Sequence, residues 1–265
     1  MLWLIDFAAT ACSLFFFFIG STLDLRTREV PNIVWAIYGP LGLILTITRL
    51  FLEPATIVAT LLSVAFTIGV SFAFYYFGLF GGADAKALIC LGMTLPIAPM
   101  ILQPPMGYVL PFPITVLIVG YFCSGSVIIW LGLKNLMAYF RERSGIFAGL
   151  ESEPWWKKVL VCLTGHRDSI GNLTTKVHLY PMEKVVEDTE RPLRKFDLIL
   201  NAEVDRDQVV SKFIESLKRV GSPDEVWVNP GIPLLFFMLI ALIIALVVGD
   251  PIFSTIIVLA SHKQV

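Results

Sequence analysis

The chain has 265 residues, 56% hydrophobic and 15% charged, with a formal net charge of −1. That balance excludes an ordinary water-soluble globule and fits an integral membrane protein. The near-zero net charge also argues against nucleic acid as a partner.

The first apolar stretch, residues 3–22, reads as a retained membrane helix, because no basic region precedes it and Arg26 and Arg28 follow it. A crossing helix needs about 20 apolar residues. Further spans are predicted at 31–51, 55–79, 86–102, 113–139 and 231–249, six crossings in all, with Pro96 and Pro99 interrupting the fourth. Residues 103–112 are proline-rich and predict an irregular loop, while 251–260 are too short to cross alone and predict an interfacial segment. Residues 1–140 carry only ten formal charges and 141–229 carry most of the rest. The expected organisation is therefore a membrane body over 1–140, a polar insert over 141–229, and a sixth helix with its tail over 230–265.

The insert predicts a small α+β module. Alternating apolar positions suggest strands at Lys176–Tyr180 and Phe196–Leu200, with a short one at Val226–Val228. Residues 206–219 have one-sided helical spacing, and Gly165 to Gly171 reads as a polar loop. Trp155-Trp156-Lys157-Lys158 resembles an interfacial anchor, which makes membrane lipid an expected partner. Cys12, Cys90, Cys123 and Cys162 lack C-x-x-C spacing, and His166, His178 and His262 are dispersed, so neither metal nor other cofactor is expected. Basic residues in short loops set orientation. An outside N-terminus puts Arg26, Arg28, Lys86 and the whole insert in the cytoplasm, and leaves only Arg49 and Lys263 outside.

Two aspartates stand where apolar segments meet water. Asp24 opens Asp24-Leu25-Arg26-Thr27-Arg28-Glu29-Val30-Pro31-Asn32, where Pro31-Asn32 suits a helix start. Asp84 closes Gly81-Gly82-Ala83-Asp84, followed two residues on by Lys86. A carboxylate near hydrocarbon is costly and is a functional hypothesis by default. The glycines leave room for a second backbone to approach, as a peptide substrate requires. The blander readings are a boundary carboxylate that caps a helix or pairs with Arg26 or Arg28, a glycine-rich helix connection, and Lys86 as an inside-positive anchor. Asp6 and Asp250 are expected near the opposite face and are assigned no chemistry.

These strings resemble the archaeal preflagellin peptidases, within the type IV prepilin peptidase group of GxGD membrane aspartyl proteases. That family pairs an aspartate a few residues before Pro-Asn with a second in GxGD. Here these are Asp24 before Pro31-Asn32, and Asp84 in Gly81-Gly82-Ala83-Asp84, with Ala83 standing where the family has its second glycine. The resemblance covers the six-span body, and the insert adds little recognisable signal. It implies an aspartic endopeptidase with Asp24 and Asp84 catalytic, acting on a preflagellin or prepilin-like precursor. The paired cysteine motifs that bacterial relatives link to methyltransferase activity are missing, so only peptidase activity is implied. One alternative is a presenilin-like intramembrane protease, whose first aspartate usually follows a tyrosine, whereas Leu23 precedes Asp24. The other is a cation transporter using both aspartates, which predicts carboxylates near the midplane and an internal repeat.

Overall fold

The structure, a computed structural model, describes residues 1–101, 104–142, 145–186, 193–198, 206–218, 221 and 223–261. Gln103, His262, Lys263 and residues 199–200 of an expected strand lie outside them. The chain forms two compact units, Met1–Ser124 with Pro233–Val265, and Gly125–Ile232.

The first unit is built from α1 (Leu2–Thr27), α2 (Asn32–Leu52), α3 (Ile57–Tyr76), α4 (Gly82–Thr94), the start of α5 (Phe112–Glu142), α9 (Leu234–Val248) and α10 (Pro251–Ser261). By length and composition α1, α2, α3 and α5 suffice to cross a bilayer, and α9 with α10, bent by 50°, make a fifth candidate. The expected fourth span over 86–102 is different. The helix begins earlier, at Gly82, and stops at Thr94. Its 13 residues span only about 20 Å against the ~30 Å of a hydrocarbon core.

Why α4 can be short is visible in its surroundings. It packs against α2 and α3, with Ala87, Leu88 and Leu91 fully buried. Non-helical backbone at membrane depth survives only where protein satisfies it. Thr46 donates to the Met93 carbonyl at 2.7 Å, Ser63 donates to the Pro96 carbonyl, and the Met100 N–H donates to Asp6 at 2.9 Å. Small residues permit the close approach that membrane helices rely on. A Cβ at Gly42 would collide with Thr94 Oγ1 and stand 3.2 Å from its Cα, and one at Gly92 would meet Thr67 Cγ2 at 2.8 Å. Gly42→Val should therefore force α2 from α4 and cost about 1–3 kcal/mol. A fall in melting temperature of the solubilised protein checks this, and an unchanged value would contradict the packing.

The α9–α10 bend has a local cause. Gly249 has φ 95°, and Asp250 Oδ1 accepts from the Phe253 N–H at 3.0 Å to start the next helix. Residues 251–260, expected as an interfacial segment, thus lie within a helix continuing from the bend.

The second unit contains the rest of α5, α6 (Trp155–Thr164), α7 (Ile170–Thr175) and α8 (Arg206–Leu217), with five strands. The strands are β1 (His166–Ser169), β2 (Tyr180–Pro181), β3 (Glu183–Val186), β4 (Leu193–Phe196) and β5 (Glu225–Asn229). β5 pairs antiparallel with β1 on one side and β2 on the other, placing Arg167 opposite Trp227, while β3 and β4 form an antiparallel pair. The α+β reading holds, with local corrections. The expected loop from Gly165 to Gly171 is β1 running into α7. Lys176–Tyr180 is mostly a turn rather than a strand, because Arg206 donates to the carbonyls of Leu173, Lys176 and Leu179. One guanidinium thus replaces a ladder partner, and Leu179 turns into the core with Phe213 and Val226. The strand expected from Phe196 onward instead runs Leu193–Phe196.

Asp168 links this unit's stability to pH. Burial pushes its carboxyl up, but hydrogen bonds from Asn172, the Ser169 N–H and Lys176 outweigh that and hold it at about 2. A depressed carboxylate stabilises the fold above its ordinary value of 3.8, and loses that contribution as pH falls through its folded value. The protection of residues 166–176 of the whole protein, taken relative to intrinsic exchange at each pH, should therefore fall between about pH 4 and pH 2. Asp168→Asn should show no such added acid sensitivity.

Candidate active site

Both expected carboxylates are helical. α1 continues five residues beyond the predicted end at 22, so Asp24 sits in its last turn rather than on a loop. The residues Leu23 to Thr27 keep the helix because they contain no glycine or proline and the break comes only at Arg28. A carboxylate at a helix C-terminus faces the negative end of the macrodipole, so nothing in the helix itself favours Asp24 there. Arg28, the C-cap, supplies the opposing charge.

Arg28 is the one described non-glycine residue with a positive φ, 58°. Such backbone is uncommon for a long side chain and costs about 1 kcal/mol or more. The conformation ends α1, and the Arg28 N–H donates to the Asp24 carbonyl at 3.1 Å. The guanidinium acts electrostatically on both Asp24 and Asp84. In the sequence Arg28 stands out as an orientation charge and as a salt-bridge partner for Asp24. Its i, i+4 relation to Asp24 was the available signal for a larger part in the site.

Asp84 occupies the third position of α4, not a loop after α3. Its Oδ2 accepts the Gly81 N–H at 3.1 Å, satisfying one of the free donors at the helix start. Gly81 and Gly82 act through space rather than unusual backbone. Gly81 has φ −71°, and a Cβ there would stand 3.2 Å from Asp84 Oδ2. Gly82 opens the helix with Tyr75 at ordinary contact distance, and Ala83 is packed partly against the core.

The structure brings the two strings together. The charge of Asp24 reaches Asp84. Lys86 Nζ donates to Asn32 Oδ1 at 2.7 Å, joining the start of α4 to the start of α2, where Pro31 is the N-cap. Lys86 therefore ties the two motifs together as well as adding a basic charge. Tyr121 of α5, which the sequence did not single out, feels the Asp84 charge, stacks on Phe80 and donates weakly to the Leu79 carbonyl at 3.4 Å. An acidic pair, a shared cation, a phenol and a glycine-opened backbone can together activate water and polarise a carbonyl.

Asp6 and Asp250 lie elsewhere. Asp6 is 1% exposed and pairs with Arg49 at 2.9 Å. Asp250 caps α10.

Residues 11–130 match the family model described as "Type IV leader peptidase family", and residues 157–251 match "Archaeal Peptidase A24 C-terminus Type II". The second match falls mainly on the insert, where the sequence reading found little recognisable signal. A preflagellin peptidase of Methanocaldococcus jannaschii is 26% identical over 88% of this chain and 91% of its own length. One from Methanococcus voltae is 27% identical over 94% and 98%, and one from Methanococcus maripaludis 21% over 90% and 94%.

Proposed function

Since the chain belongs to the type IV leader peptidase family, we propose that it cuts the short basic leader from preflagellin or a related prepilin-like precursor, using Asp24 and Asp84 as an aspartic pair. The observation carrying this reading is that Lys86 Nζ donates to Asn32 Oδ1 at 2.7 Å, tying the Pro31-Asn32 that follows Asp24 to the start of the helix that bears Asp84, 60 positions further along the sequence.

Two close carboxylates do not both ionise cheaply, so they share a proton. The ionised member takes a proton from water, and the resulting hydroxide attacks the scissile carbonyl. The protonated member donates to the carbonyl oxygen. Collapse of the tetrahedral intermediate expels the amine, which takes a proton from one member of the pair, while a hydroxyl of the intermediate returns its proton to the other and re-forms the carbonyl. The protons belong to the pair, so neither role is fixed to one residue. Arg28 balances the single negative charge left on the pair. Gly81 and Gly82 leave space for the extended substrate backbone.

In this reading residues 1–140 hold the catalytic body, 141–229 a cytoplasmic insert, and 230–265 the closing helix and tail. A six-crossing count requires α4 to complete its passage through the non-helical segment after Thr94, whose Pro96 carbonyl Ser63 satisfies. The active end faces the cytoplasm, where the leader is removed.

Membranes containing the chain, incubated with preflagellin, should yield the precursor shortened by its leader. Unaltered precursor in the presence of folded enzyme would contradict the reading. Orientation is tested separately. Ser211 is exposed on α8. A cysteine replacing it, with the four native cysteines changed to alanine, should resist an impermeant thiol reagent in intact cells and react after lysis. Labelling in intact cells would place the insert outside.

A further inference from the structure

Asp6 takes no part in the chemistry above, yet it is buried and held by partners on two other segments. We propose that Asp6 is a positioning residue that locks the register of α1 against α4, and through it the spacing of Asp24 and Asp84. The proposal rests on the dyad reading.

The geometry is a three-way tie. Asp6 Oδ1 accepts from Arg49 Nε of α2 at 2.9 Å, and Asp6 Oδ2 accepts the Met100 N–H at 2.9 Å. Arg49 Nη2 also reaches Glu53 at 3.3 Å. The side chains of Asp6 and Arg49 are 2% and 8% exposed. The tied segments are the ones that carry the site. α1 bears Asp24, α2 bears the Asn32 that holds Lys86, and Met100 follows the helix bearing Asp84. Asp6 and Asp24 are 18 positions apart on α1, about 27 Å along the axis, so the tie grips the end away from the reaction.

Two features argue for register rather than bulk stability. A buried ion pair can often be replaced by well-packed apolar residues at no loss of stability. This pair, however, also accepts from one particular backbone N–H in an irregular segment, which fixes that segment along α1. A slip of one residue moves a helix by about 1.5 Å, more than a 2.9 Å hydrogen bond tolerates. A misplacement of about 1 Å at a reacting group can cost about a hundredfold in rate.

The test uses the full-length enzyme with its precursor. Asp6→Leu combined with Arg49→Met removes the tie and leaves only the carboxylate of Glu53, whose side chain is 28% exposed, without its arginine. It should melt near the wild-type temperature and keep KM within about twofold, while kcat falls roughly ten- to a hundredfold. Met100→Pro removes the N–H donor together with the side chain and the freedom of φ, leaves the ion pair, and should lower kcat in the same way, whereas Met100→Ala, which keeps the N–H, should not. These two variants decide the matter if Asp6→Leu with Arg49→Met does not fold. Asp6→Asn combined with Arg49→Met keeps an acceptor for Met100 without stranding the guanidinium and should recover most of the rate. Wild-type kcat in a folded Asp6→Leu, Arg49→Met variant or in Met100→Pro would overturn the proposal, as would a rate loss that vanishes after correction for the folded fraction. Asp24→Asn serves as the control. If it cleaves normally, the dyad reading fails. If it is inactive while the tie variants are fully active, only the positioning role fails.

Discussion

Asp24→Asn and Asp84→Asn are each expected to lower leader cleavage by about a thousandfold or more, because groups acting as one unit lose most of their effect when either is removed. Each substitution is close to isosteric. The amide oxygen that Asp84→Asn introduces can still accept the Gly81 N–H, which Asp84 accepts at 3.1 Å, so the start of α4 should persist. Asp24→Asn leaves untouched the backbone carbonyl that receives the Arg28 N–H. Membrane insertion and melting temperature should therefore stay near wild type while activity falls. The assay is conversion of precursor at equal amounts of folded enzyme. Cleavage at a substantial fraction of the wild-type rate by either variant would remove that residue from the chemistry.

The second large effect concerns the insert. Glu183 has no exposed side-chain surface, receives two hydrogen bonds from Arg194 at 2.6 and 2.8 Å, and accepts the Trp227 N–H at 2.7 Å. It thus links β3 with β4 and with β5. Glu183→Ala strands a guanidinium that is only 11% exposed and leaves a buried N–H unsatisfied. Breaking a buried pair in this way costs about 3–5 kcal/mol. For a unit of roughly 100 residues this corresponds to a fall of about 15–30 °C in the insert's melting transition. Hydrogen exchange across β3, β4 and β5 should report the loss, while α1 to α4 keep their protection. Unchanged protection in the insert would show that the pair contributes little.

How much of this was legible in the sequence depended on the range of the signal. The apolar lengths of α1, α2, α3 and α5 were readable, since a membrane helix announces itself within one segment. Their ends were less so. Leu23 to Thr27 mix charge with apolar residues and look like a loop, and only the Arg28 backbone shows where the helix stops. Gly81-Gly82 read as a turn, although Gly82 opens α4, because a glycine pair reports available space as well as chain reversal. The early stop of α4 was hidden because the groups that satisfy the carbonyls of Met93 in its last turn and of Pro96 just beyond it, Thr46 and Ser63, belong to other helices. The strand expected at Lys176–Tyr180 failed for a similar reason, since Arg206 reaches it from 27 residues beyond Leu179 and 30 beyond Lys176.

The candidate site shows the same contrast. Asp24, Asp84, Pro31-Asn32 and Lys86 stood out as local strings. Their meeting, through the Lys86–Asn32 hydrogen bond and the shared influence of Arg28, is a tertiary fact. Asp6 looked like an idle boundary charge because its partner Arg49 is 43 positions away.

The central claim is that Asp24 and Asp84 form one catalytic unit, and a double-mutant comparison tests it most directly. Single-turnover cleavage of preflagellin would be followed for Asp24→Asn, Asp84→Asn and the double variant, each matched for folded protein. A shared unit predicts that the double variant is no slower than the slower single one. A loss in the double variant equal to the product of the two single losses would mean the carboxylates act independently, and would contradict the account.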